Sequence, residues 1–413
     1  EFQRHEGAVR GKLRRAEDAE KYETICGRRA KDSDFFDSLA FLSNCLFQAY
    51  GKNCVILIDE YDVPLENSYF RGFYDQMVVF IRSLFESSLK TNPYLEFARE
   101  GVKRALAWGA DFILAVGGGS VIDTAKAIAH GAANPDTDIW KFWLKEAVVT
   151  KSLPVGVILT ISAAGSETSD SAVLTDMETG VKRGLGTPFN RPAFAVMNPE
   201  LTYTLPAYQV ACGVVDIMMH TMDRYFNPDT TNQLTDEIAE ALLRTAIHNG
   251  SVAVKNSRDY SAMSELMWCG SLSHNGLTGL GGKKDFAPHQ LGHELSARFD
   301  VAHGASLSAI WGAWARYVYK TDVARFARFA ANVWGLRGAS EDSAAIAGIH
   351  ATEEYFTSIG MPTNFSTLGI GVQPEEVLRE LALRCTYRRT RKVGTFQVLD
   401  EPDLYEIYKA ANC

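Results

Sequence analysis

Two short apolar runs, residues 112–116 and 154–159, each open directly onto a turn of small residues, and no other feature constrains the chain as much. A continuous apolar run of five or six residues bounded by turn signals is the pattern of a strand covered on both faces, as in parallel sheets flanked by helices. The first run leads into Gly117, Gly118, Gly119 and Ser120 and then into the helical string VIDTAKAIA. Strand, glycine turn and helix in that order let backbone N–H groups approach a pyrophosphate, with the positive end of the helix dipole behind them. Glycine also serves tight turns for conformational reasons alone, so the run admits either a nucleotide site or a plain turn. The second run continues into TISAAGSET (160–168), another small-residue turn beyond a strand end, where open α/β sheets bind ligands. An acidic-tipped hairpin at 172–176 and 181 onward then carries Lys182, which either reaches a phosphate or is simply solvated.

After Pro206 helical periodicity dominates to the C-terminus. In GVVDIMMHTMDRYF, Asp216 and His220 stand four apart and share one helix face. His289 and His293 repeat that spacing in HQLGHELSARFD, and His303 follows, so three of nine histidines fall within fifteen residues. A single histidine on an apolar face is usually a core residue. Several of them with an Asp-His pair form a ligand set of mixed hardness suited to iron(II) or zinc. The H-E-x-x-H pattern of metalloproteases is absent.

Six strings carry a specific resemblance: GGGSVIDTAKAIA, LTISAAGSETS, FAVMNPELTYTLP, GVVDIMMHTMDRYF, HQLGHELSARFDVAHGA and the tail GTFQVLDEPDLYEIYKAAN. From about Asn92 to Cys413 the chain resembles the iron-containing alcohol dehydrogenase family, in its butanol dehydrogenase and broad-range aldehyde reductase branch. The resemblance implies an α/β, Rossmann-like dinucleotide-binding domain (94–205) and an all-α metal-binding domain (206–413). It implies a divalent-metal site, Fe2+ or Zn2+, at Asp216, His220, His289 and His303. His293 falls where a histidine lies beside the nicotinamide, a catalytic position fit for a proton relay. Gly117, Gly118, Gly119, Ser120 and Asp123 fall where cofactor phosphates and ribose bind, with Thr160, Ser169 and Lys182 as further contacts. The branch favours NADP over NAD, acts on small alcohols and aldehydes such as butanol and butanal, and forms homodimers. Ala164 departs from the pattern, replacing a hydroxyl residue that would contact the cofactor.

The N-terminal texture differs. Residues 1–31 hold nine basic and six acidic side chains and predict an exposed helix or leader; residues 36–47 and 74–88 predict helices and 54–58 a strand. The strand ends in Asp59 and Glu60, the carboxylate pair a Walker B position uses. The string from Val55 to Asn92 resembles an AAA-ATPase-like family of uncharacterised bacterial proteins, yet no G-x-x-x-x-G-K-[ST] phosphate loop occurs in the chain. Residues 1–93 are therefore expected to be an internal fragment of that family replacing the first half of the dinucleotide fold, a chimera. A chain impaired in this way would bind metal but not dinucleotide, the alternative to an active dehydrogenase. A formal charge of −8 excludes a general nucleic-acid or membrane-surface binder. Seven cysteines without C-x-x-C spacing, and no apolar run of bilayer length, lead to the expectation of a reducing cytoplasm.

Overall fold

The computed structural model describes residues 9, 12–13, 16–26, 45, 48, 56–58, 93–228 and 232–413. They fall into two compact units. The first holds the chain up to Ile158 together with 171–177 and 183–196; the second holds 159–170, 178–182 and 197–413.

The first unit is built on a four-stranded sheet. Its strands are β1 (Ile56–Ile58), β2 (Ile113–Gly117), β3 (Val155–Leu159) and β6 (Phe194–Val196), adjacent in that order. β1 runs parallel to β2 with Leu57 opposite Ala115, and β3 runs parallel to β6 with Val157 opposite Ala195. Every residue of β3 is buried, as its unbroken apolar sequence requires. Helix α1 (Ala16–Cys26) buries Tyr22, Ile25 and Cys26, spaced along one helix face, so this part of the leader is not the fully exposed helix its charge predicts. Of the expected helix at 36–47 only Cys45 is described, helical and buried; the expected helix at 74–88 and the Asp59–Glu60 pair lie outside the described residues.

Helix α2 (Leu95–Trp108) stops at Gly109, whose left-handed backbone returns its N–H to the carbonyls of Ala105 and Leu106. After β2, helix α3 (Gly119–Ala133) buries ten consecutive-turn residues from Val121 to Gly131, with only Thr124 excepted. Two of the ten are charged. Lys126 Nζ donates to the Ser171 carbonyl at 2.7 Å, and Asp123 Oδ2 accepts the Val173 N–H at 2.8 Å, so both dock strand β4 (Ser171–Asp176) onto the helix. β4 pairs with β5 (Val181–Gly186) in a separate two-stranded sheet. His130, also on α3, bridges Ser152 and Asn190.

The second unit is helical: α4 (Ala207–Tyr225), α5 (Gln233–Ala253), α6 (Tyr260–His274), α7 (Ala287–Phe299), α8 (His303–Val318), α9 (Val323–Trp334), α10 (Glu341–Ser358), α11 (Glu375–Cys385) and α12 (Glu401–Ala411). α4 is buried on every side from Val210 to Tyr225, which makes it the central helix. Phe226 at its end stacks on Phe326 at 4.2 Å and meets Trp314, Phe329 and Phe396, so Phe226→Ala alone would cost about 3–5 kcal/mol. Arg325 closes the same end, donating to the Tyr225 carbonyl and to both oxygens of Asp236. Among the described residues no helix is long and apolar enough to cross a membrane.

Candidate metal centre and cofactor-binding elements

The centre grows from α4. Asp216, His220 and Asp223 sit at i, i+4 and i+7, one stripe of the helix. α7 brings His289 and α8 begins at His303. α8 can approach because Gly304 presses on the α4 backbone: a Cβ there would stand 2.3 Å from the Cys212 carbonyl oxygen. The Nε2 atoms of His220, His289 and His303 lie 3.4, 3.6 and 3.7 Å from Asp216 Oδ1. Those separations are too long for hydrogen bonds. Each is close to the edge of a tetrahedron of ligand atoms about 2.1 Å from one ion, about 3.4 Å; the ligand atoms of Asp216, His289 and His303 all lie within 4.8 Å of one another, a group that His220 borders through Asp216 alone. Asp216 Oδ1 and His289 Nε2 are buried without a hydrogen-bond partner among the described residues, a cost that a divalent ion removes. The residues fit the metal that their chemistry implies.

Electrostatics agree. Burial, reinforced by neighbouring His274 and His289, pushes the His220 imidazole well below its usual range. Burial does the same to His303, against the pull of Asp216. Neutral imidazole is the ligating form. His289 differs: burial lowers it, but Asp223 and Asp216 together raise it to about 9 without a cation present. Its Nδ1 donates to Asp223 Oδ2 at 2.5 Å, which fixes the tautomer and aims Nε2 at the centre. Sequence reasoning missed Asp223, although its place seven residues after Asp216 put it on the right stripe.

His293, one turn along α7 from His289, lies 5.1 Å from the His303 ring and 6.2 Å from that of His289. Burial, then the nearby Lys182 charge, holds it well below its usual range and therefore neutral. Lys182 is placed by its turn: Arg384 grips Glu294 on α7 at 2.9 Å and the Gly180 carbonyl at 2.6 Å. Asp285 also escaped the sequence reading. This buried carboxylate accepts the N–H groups of Ala287, Thr395 and Phe396, tying the start of α7 to the tail.

The turn after β3 is held against α6. Gly165 adopts φ +63°, and a Cβ there would stand 2.4 Å from the Gly270 carbonyl. Thr168 Oγ1 donates to the Ser271 carbonyl, Ser271 Oγ to Glu167, and His274 Nδ1 to the Ala164 carbonyl at 2.5 Å. Thr160 opens this turn half-buried and Ser169 ends it fully buried. In the α/β unit, Gly117 closes β2, Gly118 is the N-cap of α3 with no side-chain cap, and Gly119, Ser120 and Asp123 follow in its first turns.

Comparison with known proteins places this arrangement. Residues 37–199 match the profile of iron-containing alcohol dehydrogenases, and residues 210–412 the C-terminal profile of the Fe-containing alcohol dehydrogenase family. The chain is 36% identical to NADH-dependent butanol dehydrogenase A of Clostridium acetobutylicum, over 82% of this chain and 88% of that protein. It is 36% identical to the NADPH-dependent aldehyde reductase YqhD of Escherichia coli, over 68% of this chain and 73% of that one. The solved structure of NADH-dependent butanol dehydrogenase A from Thermotoga maritima superposes with a TM-score of 0.78 at 30% identity, covering 89% and 93% of the two chains. The chain belongs to the iron-containing alcohol dehydrogenase family and is a metal-dependent, NAD(P)-linked alcohol dehydrogenase/aldehyde reductase. The impaired-remnant alternative is not favoured. The likeness to the family also begins at Asp37 rather than near Asn92, and β1, pairing parallel with β2, supplies a sheet strand from within that stretch.

Proposed function

We propose that Asp216, His220, His289 and His303 hold one divalent ion, Fe2+ or Zn2+, and that the enzyme interconverts a small alcohol and its aldehyde, with butanol and butanal as the reference pair. The convergence of three imidazole nitrogens on Asp216 Oδ1 carries this reading. When bound, the ion supplies Lewis-acid polarisation of the substrate oxygen and the nicotinamide gives or takes the hydride. Asp223 holds the His289 tautomer throughout. His293, neutral at pH 7, accepts the proton released by an alcohol and returns it during aldehyde reduction. Gly117, Gly118, Gly119, Ser120 and Asp123 take the phosphate and ribose side of the cofactor, and Thr160, Ser169 and Lys182 make further contacts. On the same family grounds the enzyme is read as a cytoplasmic homodimer.

The test follows NAD(P)H absorbance with butanal, with and without added Fe2+ or Zn2+, using both nicotinamides. Metal-stimulated oxidation of NADH or NADPH is the expected result, and the ratio of the two kcat/KM values fixes the cofactor. Full activity after exhaustive chelation would sink the metal reading.

A further inference from the structure

Two of the histidine ligands are held in different ways. His289 has the usual support, a carboxylate on the ring nitrogen that faces away from the centre. His220 does not: among the described residues its buried Nδ1 has no hydrogen-bond partner. Its ring instead packs against two imidazoles, with the His274 centroid at 4.0 Å (35° between planes) and the His289 centroid at 4.3 Å (32°). His274 is itself fixed. A carbonyl can only accept, so the 2.5 Å contact with Ala164 O means that His274 Nδ1 carries the proton and donates. The carbonyl belongs to the turn after β3, whose neighbours Gly165 and Thr168 also rest on α6. One side chain therefore touches both a metal ligand and the turn that presents Thr160 and Ser169.

We propose that His274 is a positioning residue with two separable roles: its ring face orients the His220 imidazole in place of a hydrogen bond, and its Nδ1–H fixes the cofactor-side turn through the Ala164 carbonyl. The inference rests on the metal and cofactor assignments above.

The two roles separate by substitution. His274→Phe keeps a ring and loses the donor; His274→Asn keeps a donor near the Nδ1 position and loses the ring. In the full chain, metal affinity is read by competition with a chromophoric chelator and cofactor affinity by NAD(P)H fluorescence titration, with melting curves recorded alongside. His274→Asn is expected to lose roughly 10- to 100-fold in metal affinity, the scale of a lost outer-shell support, with cofactor affinity retained. His274→Phe is expected to keep metal affinity and lose roughly tenfold in cofactor affinity, the scale of one buried hydrogen bond. Equal effects of both variants on both ligands, or unchanged metal and cofactor affinity in His274→Ala, overturn the proposal. Failure of the underlying assignments shows elsewhere, as an unsubstituted protein that takes up no divalent ion or no NAD(P)H.

Discussion

On the proposed reading, the two units would recognise their ligands with different parts of the chain. In the α/β unit the candidate phosphate site is main chain: a strand end, a glycine turn and the first turn of α3, with Asp123 and Lys126 used to dock β4. In the helical unit the proposed site is four side chains from α4, α7 and α8, with Asp216 and His303 87 positions apart in the chain. A main-chain site depends on local geometry and tolerates change in most side chains. A side-chain site depends on how distant helices cross, and each ligand is irreplaceable.

The largest effect follows from that contrast. His289→Ala removes a buried ligand and leaves Asp223 without its donor, so stoichiometric metal should be lost and kcat/KM for butanal should fall by at least about a thousandfold. Metal analysis and NAD(P)H absorbance check both together. A variant that retained metal and turnover would place the centre elsewhere.

Acid should act through His130 and Asp285 with opposite sign. Burial, partly offset by the Asn190 hydrogen bond, lowers His130 in the α/β unit to about 4 from its ordinary 6.5. Between those values the unfolded chain binds the proton and the folded one does not, so stability falls as pH drops from 6.5 toward 4, by about 3 kcal/mol in all. Asp285 in the helical unit is raised by burial, and by Asp223, to about 6 from 3.8. There the folded form binds the extra proton, so stability falls as pH rises through that window, by about 3 kcal/mol. Denaturant titrations at pH 7 and 4.5 should show His130→Gln less sensitive to acid than the parent and Asp285→Asn more sensitive. Parallel curves for all three proteins would remove both groups from the pH response.

What the sequence disclosed divides along the same line. The strand and the start of the helix in the β2–glycine–α3 unit were legible to within two residues, because strand, turn and helix are contiguous and apolar run lengths identify them; the helix runs four residues further than VIDTAKAIA. Asp216 with His220, and His289 with His293, were legible as i,i+4 pairs because helical spacing is local. Asp223 was hidden because its role exists only where α7 crosses α4. His274 and Asp285 were hidden for the same reason: their partners lie 110 residues upstream and as many downstream. Near the N-terminus, a strand end followed by acids fitted an ATPase fragment as well as a sheet strand, and only the pairing of Leu57 with Ala115 showed β1 to lie in the sheet.

Asp223 sharpens the comparison at a smaller scale. Asp223→Asn keeps the shape but offers a neutral amide to His289 Nδ1, so metal affinity should fall roughly 10- to 100-fold while cofactor affinity stays unchanged. Chelator competition measures the first and fluorescence titration the second. Cofactor weakening of equal size would mean that the metal site and the cofactor turn are coupled and not independent.

The reverse experiment belongs to the glycine turn and has the smallest effect. Gly119 is the first residue of α3, where the N–H groups of a helix start face an anion. Valine at this position keeps an allowed backbone but sets a branched side chain where the phosphate must approach. Losing one charge-assisted hydrogen bond costs about 1.5–3 kcal/mol, so the cofactor KM should rise roughly tenfold or more. Metal content in Gly119→Val should equal that of the parent. An unchanged cofactor KM in a folded, metal-replete variant would show that the phosphates are held by side chains after all, and the main-chain reading of the α/β unit would fall.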